Sequence, residues 1–161
     1  MISSQQLEPL PLLYRETITE KYLDPNGHMN VRWYVTLLSE ASWVQYDLIG
    51  MNADYFQTGQ GGGFTLKFFM QFMAEVHAGQ TVAIRSRLLA RSEKRLHYIM
   101  FMVNETTNTL ASLGEGLDSH ADLATRRTSP FPPQIAAKID ALLAEHQRLG
   151  WDAPVCGAIH V

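Results

Sequence analysis

From residue 64 to residue 76 the chain places Phe64, Leu66, Phe68, Met70, Phe72, Ala74 and Val76 on one side and Thr65, Lys67, Gln71 and Glu75 on the other. A period of two is the mark of an extended strand. A strand this long needs neighbours, and turn residues announce them. Ala78-Gly79, Ser92-Glu93-Lys94 and residues 104–108 each lead into a further strand-like run, over 81–91, 95–103 and 109–121, and a shorter run precedes them at 13–19. Strands joined by short turns pair antiparallel. The long helical pattern lies at 31–49, where Tyr34, Leu37, Leu38, Ala41, Val44 and Leu48 recur at helical spacing and Gly50 is placed to end it. The expected class is therefore α+β, with about five antiparallel strands and one long helix. One helix cannot cover both faces of such a sheet, so a bare face and a bare edge invite a partner subunit.

Between the first strand and the helix lies Asp24-Pro25-Asn26-Gly27-His28-Met29-Asn30. Pro25 and Gly27 suit a tight turn, which can aim a carboxylate, a carboxamide and an imidazole at one point. The helix start adds backbone N–H groups that stabilise anions. Two readings stand side by side. In one, Asp24 and His28 are hydrolase equipment beside an oxyanion site. In the other, Asp24 makes an Asx-turn, Asn30 caps the helix and His28 is simply exposed. Trp33, Trp43 and Tyr46 lie partly off the apolar helix stripe, fit either for packing or for a pocket wall. The glycine-rich stretch 57–63 (Gly59, Gly61, Gly62, Gly63) lacks the Gly-Lys-Ser/Thr ending of a phosphate-binding loop. It is expected to be a mobile loop at a pocket mouth or a plain flexible connection.

At 161 residues, 46% hydrophobic and with net charge −3, the chain reads as one globular domain without the basic excess of a nucleic-acid binder. A single cysteine, Cys156, leaves no internal disulfide, and no basic-then-apolar leader or membrane-length apolar run is apparent, so a cytoplasmic setting is expected. His28, His77, His97, His120, His146 and His160 show no paired ligand spacing, and there is no Gly-x-Ser-x-Gly elbow. No metal, cofactor, nucleic acid or membrane is expected. Residues 1–12 read as a loosely held lead-in and 13–133 as the domain proper. In 134–161, Ile135, Ile139, Leu142 and Leu143 mark a short helix before a loose tail from Gly150.

The motif Asp-x-Asn-x-His-x-Asn before an aromatic-rich helix resembles the active-site segment of hotdog-fold acyl-thioester hydrolases, among them the plant acyl-carrier-protein thioesterases and the 4-hydroxybenzoyl-CoA thioesterase group. The likeness extends over about residues 13–133. It implies a curved antiparallel sheet wrapped around one long central helix, in a homodimer or a dimer of dimers with the active site at the subunit boundary. It also implies that Asp24 acts as nucleophile or general base and that Asn26 and His28 orient the reacting groups, His28 alternatively protonating the leaving thiolate. The later acidic and cysteine residues of the plant enzymes have no counterpart. With Lys94-Arg95-Leu96-His97 and the exit at 122–127, the motif is also similar to thioesterases found with or fused to carnitine dehydrogenase, which are associated with betainyl-CoA. An aromatic cage for its trimethylammonium group is compatible with the aromatic helix. Asn30, Trp33, Tyr34, Gly62, Gly63, Phe64 and Thr65 are then expected around an acyl-CoA substrate. Arg85, Arg87, Lys94, Arg95, Arg126 and Arg127 are candidates for its CoA part, and backbone N–H groups of the helix start or the glycine-rich stretch for the oxyanion clamp. Coenzyme A enters only as part of the substrate. The rival readings are a hydratase or dehydratase, whose Asp-x-Asn-Pro-x-His pattern is not met here, and a non-catalytic acyl-CoA-binding hotdog protein.

Overall fold

The computed structural model describes residues 2–161. In chain order the elements are α1 (Ser4–Leu7), β1 (Leu12–Thr17), a 3-10 turn at Glu20–Tyr22, α2 (Val31–Leu48), α3 (Ala53–Gln57), β2 (Gly61–Phe72), β3 (Thr81–Arg91), β4 (Arg95–Asn104), β5 (Thr109–Asp122), β6 (Arg127–Thr128) and α4 (Pro133–Gln147). The class is α+β with an antiparallel sheet, as expected. Its strand order is β1-β3-β4-β5-β2, with the short β6 paired to β5. The contacts divide into two compact units. One holds residues 2–44, 70–86 and 100–114, the other 45–69, 87–99 and 115–161.

In the first unit Tyr34, Leu37, Leu38 and Ala41 of α2 are buried, together with Val82, Ala83 and Ile84 of β3 and Met100, Phe101 and Met102 of β4. The lead-in is not loose. Leu7 and Leu10 are each 1% exposed, and Arg85 donates to the carbonyls of Glu8 and Leu10, which ties the segment to β3. Apolar burial overrides what serine, glutamine and proline suggest in sequence.

In the second unit the α2 stripe continues through Gln45, Tyr46 and Ile49, all buried, while Leu48 is 44% exposed. The expected stripe through Val44 and Leu48 is thus corrected by one position, because a 3.6-residue period drifts off a sevenfold spacing. Gly50 ends the helix with φ +89°. The glycine-rich stretch is likewise not a mobile loop, since Gly61, Gly62 and Gly63 already belong to β2. A Cβ at Gly61 would overlap the Tyr55 hydroxyl, and one at Gly63 would stand 2.5 Å from that of Tyr46. The glycines admit phenols against the strand backbone. Tyr46 and Tyr98 donate to Asp118 at 2.8 and 3.3 Å, and burial raises the pKa of this 3%-exposed carboxyl.

The terminal helix is longer than expected, and the tail beyond it is anchored. Arg87 donates to the carbonyls of Trp151 and His146 at 2.8 and 3.2 Å, the Cys156 amide donates to Glu115 at 2.6 Å, and Ile159 is 4% exposed. His146 accepts the Leu88 N–H on Nδ1 at 2.8 Å. Burial, aided by Arg87, lowers its pKa, and burial lowers that of His120 as well. A depressed histidine favours the folded state while neutral, so this stability is present above the ordinary value of 6.5 and is lost as pH falls below it. Asp118 acts in the opposite sense, because a raised carboxyl loses its contribution as pH rises through the folded value. Urea unfolding at pH 7.5 and 5.5 should therefore show a smaller acid loss in His146→Gln, whose amide oxygen can accept the same N–H without titrating. Equal losses in the two proteins would remove His146 as a contributor.

β2 departs most from expectation. As the end strand of the sheet, it leaves Phe64, Leu66, Phe68 and Phe72 between 37% and 51% exposed. Of the seven apolar residues that carry the alternation Val76 alone falls below 1% exposed, and it lies past the strand's end. Edge position decides this, because a strand with one neighbour has fewer side chains to lean on.

Candidate active site

The segment ahead of α2 folds back on itself. Asp24 and His28 are joined by Asp24 N–H to His28 O at 3.0 Å, Gly27 N–H returns to Asp24 O at 3.0 Å, and Leu23 bridges Met29. Gly27 takes φ +82°, which only glycine adopts without cost. The Asp24 Oδ1 atom accepts the Asn26 N–H at 2.8 Å, and Asn30 Oδ1 accepts the Arg32 N–H at 3.1 Å. Both the Asx-turn and the helix cap are therefore real. They do not exhaust the motif, because the same turn leaves Asp24 Oδ2 facing His28 Nδ1 at 3.7 Å.

That pair opens on a cavity of about 480 Å3, lined by Asp24, His28, Met29, Asn30, Val31 and Tyr34 together with Phe72, Met73, Ala74 and Glu75. Tyr34 donates to the Ala74 carbonyl at 3.1 Å and meets Phe72 edge to face at 5.3 Å. The arrangement can supply an attacking carboxylate or base, an imidazole, and the N–H of a first helical residue, Val31, which a helix start leaves without an intrahelical acceptor.

Of the catalytic candidates, Asp24 and His28 line the cavity, whereas Asn26 is exposed and contributes only its main-chain N–H to the turn. Asn30 and Tyr34 also line it. Trp33 does not, because its ring packs against Tyr22 at 4.8 Å with the Arg32 guanidinium over it at 4.9 Å. Gly62, Gly63, Phe64 and Thr65 lie on β2 and are absent from the lining. Among the cations, Arg85 and Arg87 are held by main-chain carbonyls, which leaves them poorly placed to take a phosphate. Lys94 and Arg95 sit around the β3–β4 turn, and Arg126 (φ 56°) and Arg127 are exposed by the turn after β5. The residues missed in the sequence are Glu75 and His77. His77 Nδ1 lies 3.0 Å from the Gly27 carbonyl, and Glu75 lies between the two imidazoles. Glu75 reads as the polar side of a strand, and nothing local marks it as facing a loop some 50 residues earlier.

A family model described as the thioesterase-like superfamily matches residues 18–139. The chain belongs to that superfamily. Among relatives of this member, the L-carnitine dehydrogenase/betainyl-CoA thioesterase of Agrobacterium fabrum is 31% identical over 135 residues, covering 84% of this chain. The chain spans only 28% of that relative's length. The betainyl-CoA thioesterase of Pseudomonas aeruginosa is 27% identical over 136 residues, 84% of this chain and 86% of its own. A Staphylococcus aureus protein solved in complex with CoA superposes with a TM-score of 0.83 over 94% of this chain and 96% of its own, at 22% identity. That superposition shows a shared hotdog fold.

Proposed function

We propose that this chain hydrolyses acyl-CoA thioesters to a carboxylic acid and free CoA, with betainyl-CoA as its substrate. The observation that carries the reading is the Asp24–His28 pair on a cavity wall at the start of α2, in a member of the thioesterase-like superfamily. Asp24 Oδ2 attacks the thioester carbonyl or takes a proton from the attacking water, and the Val31 amide stabilises the oxyanion. The C–S bond breaks, His28 orients the carbonyl or protonates the departing thiolate, and where Asp24 has attacked directly a water molecule then cleaves the acyl–Asp24 anhydride to release the acid and restore the carboxylate. Two relatives named for betainyl-CoA support the acyl group. Free-thiol release from betainyl, short-chain, long-chain and aromatic CoA esters tests both parts. Absence of release from every ester sinks the hydrolase, and indifference between betainyl-CoA and its uncharged isostere sinks the substrate.

The working unit is a homodimer in the cytoplasm, a setting supported by the lone thiol Cys156, and no helix among the described residues is long and apolar enough to cross a membrane. The 12 residues of β2 form a sheet end, and Phe64, Leu66, Phe68, Phe69, Phe72 and Met73 on or just beyond it are 37% to 51% exposed. On α2, Val31, Val35 and Trp43 are 43% to 56% exposed. A second copy adding strand to strand covers such an edge and gives two-fold symmetric sites. Sedimentation at micromolar concentration should show dimer for the native chain and monomer for Phe68→Glu. A monomer that is fully active at nanomolar dilution would overturn the assembly.

A further inference from the structure

The cavity beside Asp24 holds a second carboxylate that the reaction leaves unused. Glu75 follows the end of β2 with its side chain 64% exposed, its Oε1 3.9 Å from His28 Nε2 and its Oε2 3.6 Å from His77 Nε2. Both contacts are longer than a hydrogen bond, and His77 Nδ1 also meets the Gly27 carbonyl at 3.0 Å. His28 Nδ1 meets the Met29 carbonyl at 3.5 Å and Asp24 Oδ2 at 3.7 Å. Glu75 is thus a largely exposed carboxylate on the cavity wall with room for a further, cationic partner.

The rest of the lining says what that partner is. No lysine or arginine appears among the described residues around the cavity, whose acidic groups are Asp24 and Glu75. Its aromatic rings are Tyr34, 5% exposed, and Phe72, 51% exposed, so Phe72 is the ring open to a ligand. Trp33 packs away on Tyr22. One open ring is short of an aromatic cage, and the attraction for a quaternary ammonium group has to come largely from a carboxylate. Asp24 is committed to the reaction. We propose that Glu75 is the specificity-determining residue that selects a cationic acyl group, with Phe72 as the apolar contact for its methyl groups. This rests on the hydrolase reading of the same cavity.

The test compares kcat/KM for betainyl-CoA and for 3,3-dimethylbutyryl-CoA, in which carbon replaces the ammonium nitrogen, on the full chain and on Glu75→Gln and Glu75→Lys. Both esters are read on each protein, so any general loss of turnover cancels in the ratio. The native chain should prefer the cation. Glu75→Gln should cut that preference about fivefold, the scale of a partly exposed ion pair, and Glu75→Lys should cut it further. Added salt should erode the preference more in the native chain than in Glu75→Gln, which keeps only Asp24 as a charge on the cavity wall. An undiminished preference in both variants overturns the role of Glu75 and leaves hydrolysis standing. Equal turnover of the two esters by the native chain overturns it together with the betainyl substrate. Thiol release from neither ester overturns it along with the betainyl substrate, and the hydrolase falls with them only if the short-chain, long-chain and aromatic esters fail as well.

Discussion

Asp24→Asn should lower kcat for thioester hydrolysis by about 100-fold or more, the scale set by a positioned base or nucleophile. The substitution is chosen to spare the turn. An asparagine Oδ1 can still accept the Asn26 N–H that Asp24 holds at 2.8 Å, so the Asx-turn and the cap at Asn30 survive. What disappears is the charge at Oδ2, the atom facing His28. An unchanged KM with kcat collapsed would mark a group acting in the transition state rather than in binding. His28→Ala should lower kcat less, since it orients or protonates. A fall of less than tenfold in Asp24→Asn would return the motif to the structural turn that its hydrogen bonds also describe.

Asp118→Ala should destabilise the protein by about 3 kcal/mol or more, because it leaves the buried hydroxyls of Tyr46 and Tyr98 without their acceptor, each at about 1–3 kcal/mol. For a chain of this length that is a fall in Tm of about 6–12 °C. Asp118→Asn keeps an acceptor and should cost less. Unfolding of all three proteins at one concentration provides the comparison, since a dimer's midpoint moves with concentration. A loss below about 1 kcal/mol in Asp118→Ala would mean that the phenols find other partners.

Much of the architecture is legible in the amino-acid sequence. The 3.6-residue recurrence from Tyr34 to Ala41 and the turn residues at 78–79, 92–94 and 104–108 are local signals, and local signals survive folding. The Asp24–Asn30 motif is legible for the same reason, as a turn whose conformation its own proline, glycine and asparagine dictate.

What is not legible depends on chain returning from far away. That β2 lies at the end of the sheet is a matter of strand order, and an alternating pattern reads alike at an edge and at the centre. Gly61, Gly62 and Gly63 look like loop because glycine is permissive anywhere, yet Tyr55, Leu123 and Tyr46 are what make them necessary. Arg85 and Arg87 look like free cations until the lead-in and the tail supply carbonyls for them. Trp33 and Tyr34 are adjacent in sequence, and the 100° step of a helix sends one to Tyr22 and the other to the cavity. By itself, then, the sequence determined which elements form and where the reactive turn sits, since both follow from residues within a few positions of one another. Which side chains meet that turn, Glu75 and Phe72 above all, was decided only by tertiary structure, because the contact spans some 50 residues and no local pattern encodes it.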